Sequence, residues 1–218
     1  MKQKNADRLL CVVDHEGRLV ADSRDVAPLA GKNHGHLLRD IRRYVAVIDG
    51  STNPKLDSLE YFIPSFYNDE KNQSRPYYLC TQMGCDMIAH KMTGEKGVLF
   101  TAAYVKAFHA MRRELEKRKQ LRAEGKPIRR GLTDALRDSG ENERMHGHAY
   151  EAYTDLALRL ATGKSARQLR KARGAARDAV ALGLLTSEEL ERYQKEEAAV
   201  AVLVDAGMTY DQVKAALS

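Results

Sequence analysis

The chain has no tryptophan, few aromatic residues and only three cysteines. Aromatic residues make up 6% of its 218 residues, which favours small helical packing units over one broad β-sandwich. The odd count of Cys11, Cys80 and Cys85 argues against a disulfide framework. The spacing Cys80-x4-Cys85-x4-His90 matches no common zinc-finger spacing and lacks a second ligand pair. We therefore expect buried, reduced thiols and neither a metal nor another cofactor.

Membrane segments and catalytic motifs are also missing. No apolar run approaches the roughly 20 residues needed to cross a bilayer, and residues 1–8 lack the apolar stretch and cleavage site of a signal peptide. We therefore expect a cytoplasmic protein with no membrane partner. There is no nucleophile elbow, paired-carboxylate motif or metal-ligand cluster. This favours a binding protein over an enzyme.

What the chain has in excess is positive charge, with a net value of +6. Basic residues outnumber acidic ones by nine to three between positions 112 and 130, a surplus that equals the net charge of the whole chain. The basic residues are Arg112, Arg113, Lys117, Arg118, Lys119, Arg122, Lys126, Arg129 and Arg130. Such a block attracts polyanions, above all phosphate backbones. The alternative is a solvated helix and linker.

Apolar periodicity and turn formers predict an α+β first half and an all-α C-terminal region. Strands are expected at 9–13, 18–21, 61–67 and 76–81, and short helices at 23–30, 34–47 and 82–91. A long helix should follow from residue 95 to about 123 and end at Gly125-Lys-Pro127. The predicted regions are thus 1–94, 95–124 and 125–218.

In the last of these regions the strongest signals are helix caps. Thr133 is expected to cap a short helix, and residues 149–161 have apolar residues at helical spacing. Thr186-Ser-Glu-Glu189 is a capping box for a helix running to residue 206, and Thr209 with Gln212 caps the last helix.

Residues 21–41 carry the main functional signal. A capped short helix is followed by Gly31, which permits a tight turn, and by a second helix capped by Asn33. At about 100° per residue, one side of that second helix collects its apolar residues: Leu37, Leu38, Ile41, Tyr44 and Val45. The opposite side carries His36, Arg39 and Arg43, with Gly35 and Arg42 at its edges. His34 falls near the apolar side, and we expect it to be structural.

This outward stripe has the side chains that a DNA recognition helix needs. Arginine grips O6 and N7 of guanine, and histidine donates or accepts at a base edge. A strand pair follows, with Lys71 and Arg75 in a flexible polar tip, where a wing would reach a phosphate or the minor groove. The sequence predicts an N-terminal winged helix-turn-helix whose DNA-binding residues are Lys32, Asn33, Gly35, His36, Arg39, Arg42, Arg43, Lys71 and Arg75. The alternative is an ordinary amphipathic helix with solvated arginines.

Several short motifs in this half occur in one order and spacing. They are Asp22-Ser-Arg-Asp-Val-Ala27, Lys32-Asn-His-Gly-His-Leu-Leu-Arg-Asp-Ile41, Tyr61-Phe-Ile63, Tyr67, Pro76-Tyr-Tyr-Leu79, Thr81, Gly84, Met92-Thr-Gly-Glu-Lys96 and Ala102-Ala-Tyr-Val-Lys-Ala-Phe-His-Ala-Met111. On these residues the chain resembles the Rha family of phage regulatory proteins over roughly residues 9–115. The resemblance implies a phage or prophage origin, a bacterial host cell, and a role in regulating transcription or host–phage interplay. Pro28 departs from the pattern and should kink or shorten the first helix.

The long helix carries an apolar stripe, Tyr104, Phe108, Met111 and Leu115, at spacings of four, three and four. Such spacing is typical of a short coiled-coil contact. We expect the first turns to pack within the chain and the rest to pair two chains in a homodimer or higher homo-oligomer. The alternative partner is the C-terminal helices of the same chain.

The sequence therefore predicts a phage-encoded transcriptional regulator that binds double-stranded DNA. The main alternative is an antirepressor, which binds and inactivates a phage repressor through protein contacts and keeps the helix-turn-helix only as a scaffold. RNA binding ranks third, because no stacking aromatic residues lie in an RNA-type motif.

Overall fold

A computed structural model describes residues 10–217 of the chain. The fold is α+β, and the chain divides into two compact units, the first ending at Arg113 and the second beginning at Glu114. None of the helices within the described range is both long enough and apolar enough to span a membrane.

The first unit alternates strands with helices. Its elements in chain order are β1 (Val12–His15), β2 (Arg18–Asp22), α1 (Ser23–Leu29), α2 (His34–Asp49), β3 (Phe62–Asn68), β4 (Ser74–Thr81), α3 (Gln82–Ala89) and the start of α4 (Gly94–Asp138). The predicted elements are present with ends shifted by a few residues. The first strand begins at Val12 rather than at Leu9, which lies outside the described residues.

The four strands form one antiparallel sheet in the order β1-β2-β4-β3. Cys80 on β4 pairs with Ala21 on β2 and with Phe62 on β3. All three are buried in one core cluster, which also contains apolar side chains of α1, α2, α3 and α4. The strand before the helix pair and the hairpin after it therefore belong to the same sheet.

Helix α1 and the turn after it form as their local sequence predicts. The carboxylate of Asp22 accepts a hydrogen bond from the Arg24 N–H at 2.7 Å and caps α1. Pro28 lies in the last turn, and the helix ends one residue beyond it, at Leu29. Gly31 then has a φ of +66°, a left-handed conformation that glycine adopts without strain.

The second unit is helical throughout its described part. After α4 it contains α5 (Glu141–Arg144), α6 (Ala149–Thr162), α7 (Ala166–Ala172), α8 (Ser187–Asp205) and α9 (Tyr210–Leu217). The capping box predicted at Thr186 and Glu189 is confirmed. Helices α5 and α7 were not predicted, although α7 has a capping box of its own between Ser165 and Gln168.

The prediction that the long helix ends at Gly125-Lys-Pro127 is wrong, because α4 continues to Asp138 with Pro127 inside it. Thr133, predicted as the cap of a new helix, lies within α4 and donates its hydroxyl to the Arg129 carbonyl at 2.9 Å. Beyond Pro127, α4 buries Leu132, Ala135 and Leu136 in the core of the second unit. An interior proline costs a helix about 3 kcal/mol, whereas each fully buried leucine contributes about 1.5–3 kcal/mol. Burial therefore outweighs the proline.

Close packing explains why a glycine stands at position 125. The Gln194 side chain on α8 is buried and donates to the Leu121 carbonyl of α4 at 2.6 Å. A Cβ at position 125 would overlap Nε2 of Gln194 and lie 3.1 Å from its Cδ. Gly125 thus permits a close helix contact and does not end the helix.

The prediction of buried thiols is confirmed for two of the three cysteines. Cys80 and Cys85 are free and buried, and burial raises the pKa of both thiols. Cys11 is exposed, so the expectation of a buried thiol there is wrong.

Two glycines of α4 provide a matched stability test. We expect Gly125→Ala to lower the free energy of unfolding by roughly 1–2 kcal/mol, because displacing the buried Gln194 and losing its hydrogen bond outweigh the helix propensity that alanine adds. Gly131→Ala should raise it by up to about 1 kcal/mol, since alanine is the better helix former and a Cβ there meets nothing within 4 Å. Urea unfolding followed by circular dichroism measures both. Equal effects of the two substitutions would contradict this account of Gly125.

Candidate nucleic-acid interface

Helix α2 presents the two faces that its sequence predicts. Leu37, Leu38, Ile41 and Tyr44 are buried, and Val45 is half-buried. The opposite face is exposed along its length, with Gly35, His36, Arg39, Arg42 and Arg43 all accessible. Neither the histidine nor any of the three arginines forms an ion pair within the described residues, although Arg43 lies 5.7 Å from the centre of the Tyr44 ring. Three cations therefore face outward from one helix.

Lys32 and Asn33, two of the predicted DNA-contact residues, lie just before α2 and use their side chains for contacts within the fold. Lys32 Nζ lies 2.6 Å from Asp40 Oδ2, and this hydrogen bond lowers the pKa of the Asp40 carboxyl. Asn33 Oδ1 accepts the His36 backbone N–H at 2.8 Å and caps α2. Their side chains fix the start of α2, and the Lys32 charge is locally balanced.

His34 is structural in its contacts, as expected. Its Nε2 lies 3.0 Å from Ser23 Oγ, which also accepts the Tyr78 backbone N–H at 3.0 Å. Burial lowers the pKa of His34. The charge of Arg24 lowers this pKa further, and the charge of Asp22 partly opposes the shift. A neutral ring accepts the hydroxyl proton of Ser23 at Nε2, so one serine joins α1, α2 and β4.

The hairpin tip between β3 and β4 is ordered by one carboxylate. Asp69 Oδ1 accepts backbone N–H groups from Lys71 and Gln73, each at 2.9 Å. Its other oxygen pairs with Arg75 Nε at 2.9 Å. These contacts give the tip a defined turn, and its flexibility stays a prediction. Lys71 is exposed without a charged partner in the described chain, whereas the Arg75 charge is partly balanced.

Sequence reasoning missed Arg24, which holds the base of the hairpin to α1. Its guanidinium forks onto Asp22, with Nε 2.9 Å from Oδ2, and lies 4.2 Å and 4.7 Å from the ring centres of Tyr67 and Tyr77. The two rings meet edge to face with their centres 6.0 Å apart, one on β3 and one on β4. The available signal was an arginine two residues after a helix cap together with two tyrosines in the following strands.

Two apolar side chains stand exposed on these same elements. Val47 on α2 is 70% exposed and Phe66 on β3 is 69% exposed. Phe66 pairs with Pro76 across the hairpin and lies on the strand face that carries Phe62. Both side chains are therefore accessible to a ligand or to a partner protein.

The predicted oligomer stripe on α4 is largely occupied within the chain. Tyr104 and Phe108 are buried in the first unit's own core, and the Tyr104 hydroxyl donates to Asp86. Met111 and Leu115 are half-buried. Any contact between chains along this stripe would therefore fall to these last two residues, and the homodimer stays a prediction.

Comparison with known proteins confirms the resemblance found in the sequence. Residues 21–113 match the family described as Phage regulatory protein Rha. The chain is 43% identical over 135 residues to the "SPbeta prophage-derived putative antirepressor protein YoqD" of Bacillus subtilis (strain 168), covering 62% of this chain and 48% of that protein. It is also 30% identical over 113 residues to an uncharacterized protein of Haemophilus influenzae, covering 52% of this chain and 62% of that one. The matching part of the chain thus spans about half of the length of the first relative and less than two thirds of the length of the second.

Removing Arg24 should loosen the hairpin without unfolding the unit. Arg24→Ala deletes two cation–π contacts and a forked ion pair, and we expect it to lower the free energy of unfolding by roughly 1–2 kcal/mol. Amide hydrogen exchange in β3 and β4 should become faster. Arg42→Ala is the control, because the Arg42 side chain is exposed and makes no hydrogen bond or ion pair in residues 10–217. Equal amide hydrogen exchange in the two variants would refute the role of Arg24 in holding the hairpin to α1.

The His34 environment predicts a stability that depends on pH. Because burial lowers the pKa of His34 below its ordinary value of 6.5, the folded chain binds fewer protons there than the unfolded chain. The contribution to stability is therefore full above the unfolded pKa and is lost as the pH falls below it. We expect His34→Gln, which keeps an acceptor for Ser23 but does not titrate, to lose less stability than the wild type between about pH 7.5 and about pH 5.5. Urea unfolding at both pH values measures this, and identical losses would contradict it.

Proposed function

We propose that this chain, whose residues 21–113 match the Rha family, is a phage-type regulator that binds duplex DNA through a winged helix-turn-helix. Helix α2 is the recognition helix, and the β3–β4 hairpin is the wing. The observation that carries the proposal is the outward face of α2, where Arg39, Arg42 and Arg43 are exposed and form no ion pair in the described chain. A row of unbalanced cations on one helix is what a phosphate-lined groove attracts.

The sheet supports the wing assignment. Strand β2 enters α1 directly and pairs with β4, so the hairpin is built into the same sheet as the strand before the helix pair. Ser23 and Arg24 then tie the hairpin to α1. The wing consequently has a fixed position beside the helices, which recognition by several elements at once requires.

The side chains suggest a division of roles. Arginine gives a bidentate contact to guanine, and an apolar side chain contacts the thymine methyl group, so Arg39 and Val47 are suited to base edges. Lys71 is suited to a phosphate. Lys32, Asn33 and Arg75 act mainly by holding these surfaces in place, because each is already engaged within the fold.

A second candidate function is that of an antirepressor, acting on another protein. It is supported by the description of the Bacillus subtilis relative as an antirepressor and by the exposed Phe66 and Val47, which a protein partner would also cover. In that case the helix-turn-helix serves as a scaffold, and binding to the repressor needs no DNA.

Selection from a random duplex library with the full chain tests the DNA proposal. We expect a preferred sequence to emerge and affinity to fall steeply with salt. Arg39→Ala should weaken binding to the selected duplex by roughly 10- to 100-fold and to unselected duplex much less. Arg177→Ala, an exposed arginine of the second unit, is the matched control and should change neither.

The outcomes separate the two functions. Equal losses on both duplexes would make Arg39 a phosphate contact and remove its base-reading role. The antirepressor function replaces the DNA proposal if two results are obtained together. The first is that no duplex sequence is selected. The second is that the chain cosediments, without DNA, with a purified repressor encoded by the same phage genome.

A further inference from the structure

The second unit contains a cleft of about 500 Å³ that is separate from the proposed DNA surface. One wall is the stretch of α4 around Gly125, and the other consists of Val180, Leu182 and the start of α8 at Leu190. Its lining is therefore aliphatic on one side and formed by a basic helix on the other.

Four cations of α4 border this cleft, namely Arg122, Lys126, Arg129 and Arg130. Arg129 is balanced, because its Nη1 lies 2.9 Å from Glu197 Oε1 and 2.7 Å from the Tyr193 hydroxyl. Glu197 is 2% exposed and is the one carboxylate among the described residues of the lining. Lys126 and Arg130 have no hydrogen-bond or ion-pair partner in the described chain. The rim therefore carries uncompensated positive charge.

The apolar wall is accessible to a ligand. Val180 is 72% exposed at the rim, Leu182 is half-buried, and Leu190 is buried behind them. Val180, Leu182 and Arg129 also border a neighbouring cleft of about 880 Å³. The two clefts therefore adjoin at these three residues.

We propose that this cleft binds an acidic peptide segment of another protein, with an aliphatic side chain against Val180 and Leu182 and carboxylates facing Lys126 and Arg130. Charge complementarity selects an acidic ligand, and the aliphatic wall selects one that also carries apolar side chains. Nucleic acid fits this 500 Å³ cleft less well, because single strands are held by exposed stacking rings, and Tyr193, the one aromatic residue in the described part of its lining, is buried. This binding site goes beyond the proposed DNA-binding function and does not depend on it.

An array of random dodecapeptides, probed with the labelled full chain, tests the proposal. Bound peptides should be enriched in both Asp or Glu and Leu, Ile or Val. The double variant Lys126→Glu/Arg130→Glu should bind the selected peptides at least roughly tenfold more weakly, because two attractive contacts become repulsive. Lys171→Glu is the control, since the Lys171 side chain is exposed, lies outside the cleft and has no hydrogen-bond or ion-pair partner among the described residues. Circular dichroism verifies that both variants are folded.

Three results would overturn the proposal. The first is an array without joint enrichment of acidic and aliphatic residues, and the second is peptide binding that is indifferent to the charge reversal at positions 126 and 130. The third is duplex DNA that displaces the selected peptides and loses affinity equally in the double variant. That result would assign the cleft to polyanions in general. If Arg39→Ala abolishes selective DNA binding but leaves peptide binding unchanged, the peptide site in the second unit is supported as independent of the DNA surface.

Discussion

The candidate surface depends on the hydroxyl of Ser23, the buried first residue of α1. This group accepts the Tyr78 N–H from β4 and faces His34 at the start of α2. Leaving a buried hydroxyl without its partners costs roughly 1–3 kcal/mol of folding stability. Separating β4 or α2 from α1 would incur this cost at Ser23. Because His34 opens the helix that carries the arginines, this hydroxyl contributes, together with the core shared by α2 and the sheet, to the orientation of α2 relative to the hairpin.

The elements that could be predicted from the sequence are those with short-range signals. Asp22, Asn33 and Thr186 each cap a helix within three residues of themselves, so the pattern is visible in a short window. The end of α4 was mispredicted because its cause is distant. The close contact with Gln194, 73 residues from the Leu121 carbonyl that it binds, decides why a glycine stands at 125. No local propensity contains that information.

The same distinction applies to the site. Periodicity alone located the exposed face of α2, because the faces of a helix are a local property. It could not show that Lys32 is paired with Asp40, that Arg75 is paired with Asp69, or that Arg24 lies between two tyrosines of later strands. A count of cations overstates the charge available to a ligand, and the basic block of α4 illustrates this, since Arg118 donates to the Gly183 carbonyl at 2.6 Å and Arg129 is paired with Glu197.

These internal pairings bear on the proposed binding of duplex DNA by the first unit. With Lys32 and Arg75 balanced, a bound phosphate backbone would be attracted chiefly by Lys71 and by the same α2 arginines that are suited to base edges. Since each neutralised phosphate contributes separately to affinity, one copy that binds through α2 and the wing alone should hold duplex DNA weakly. Two copies on a two-fold-symmetric site would double those contacts. The scarcity of free charge on α2 and the wing is therefore an independent reason to expect that a DNA-binding form of this chain is dimeric.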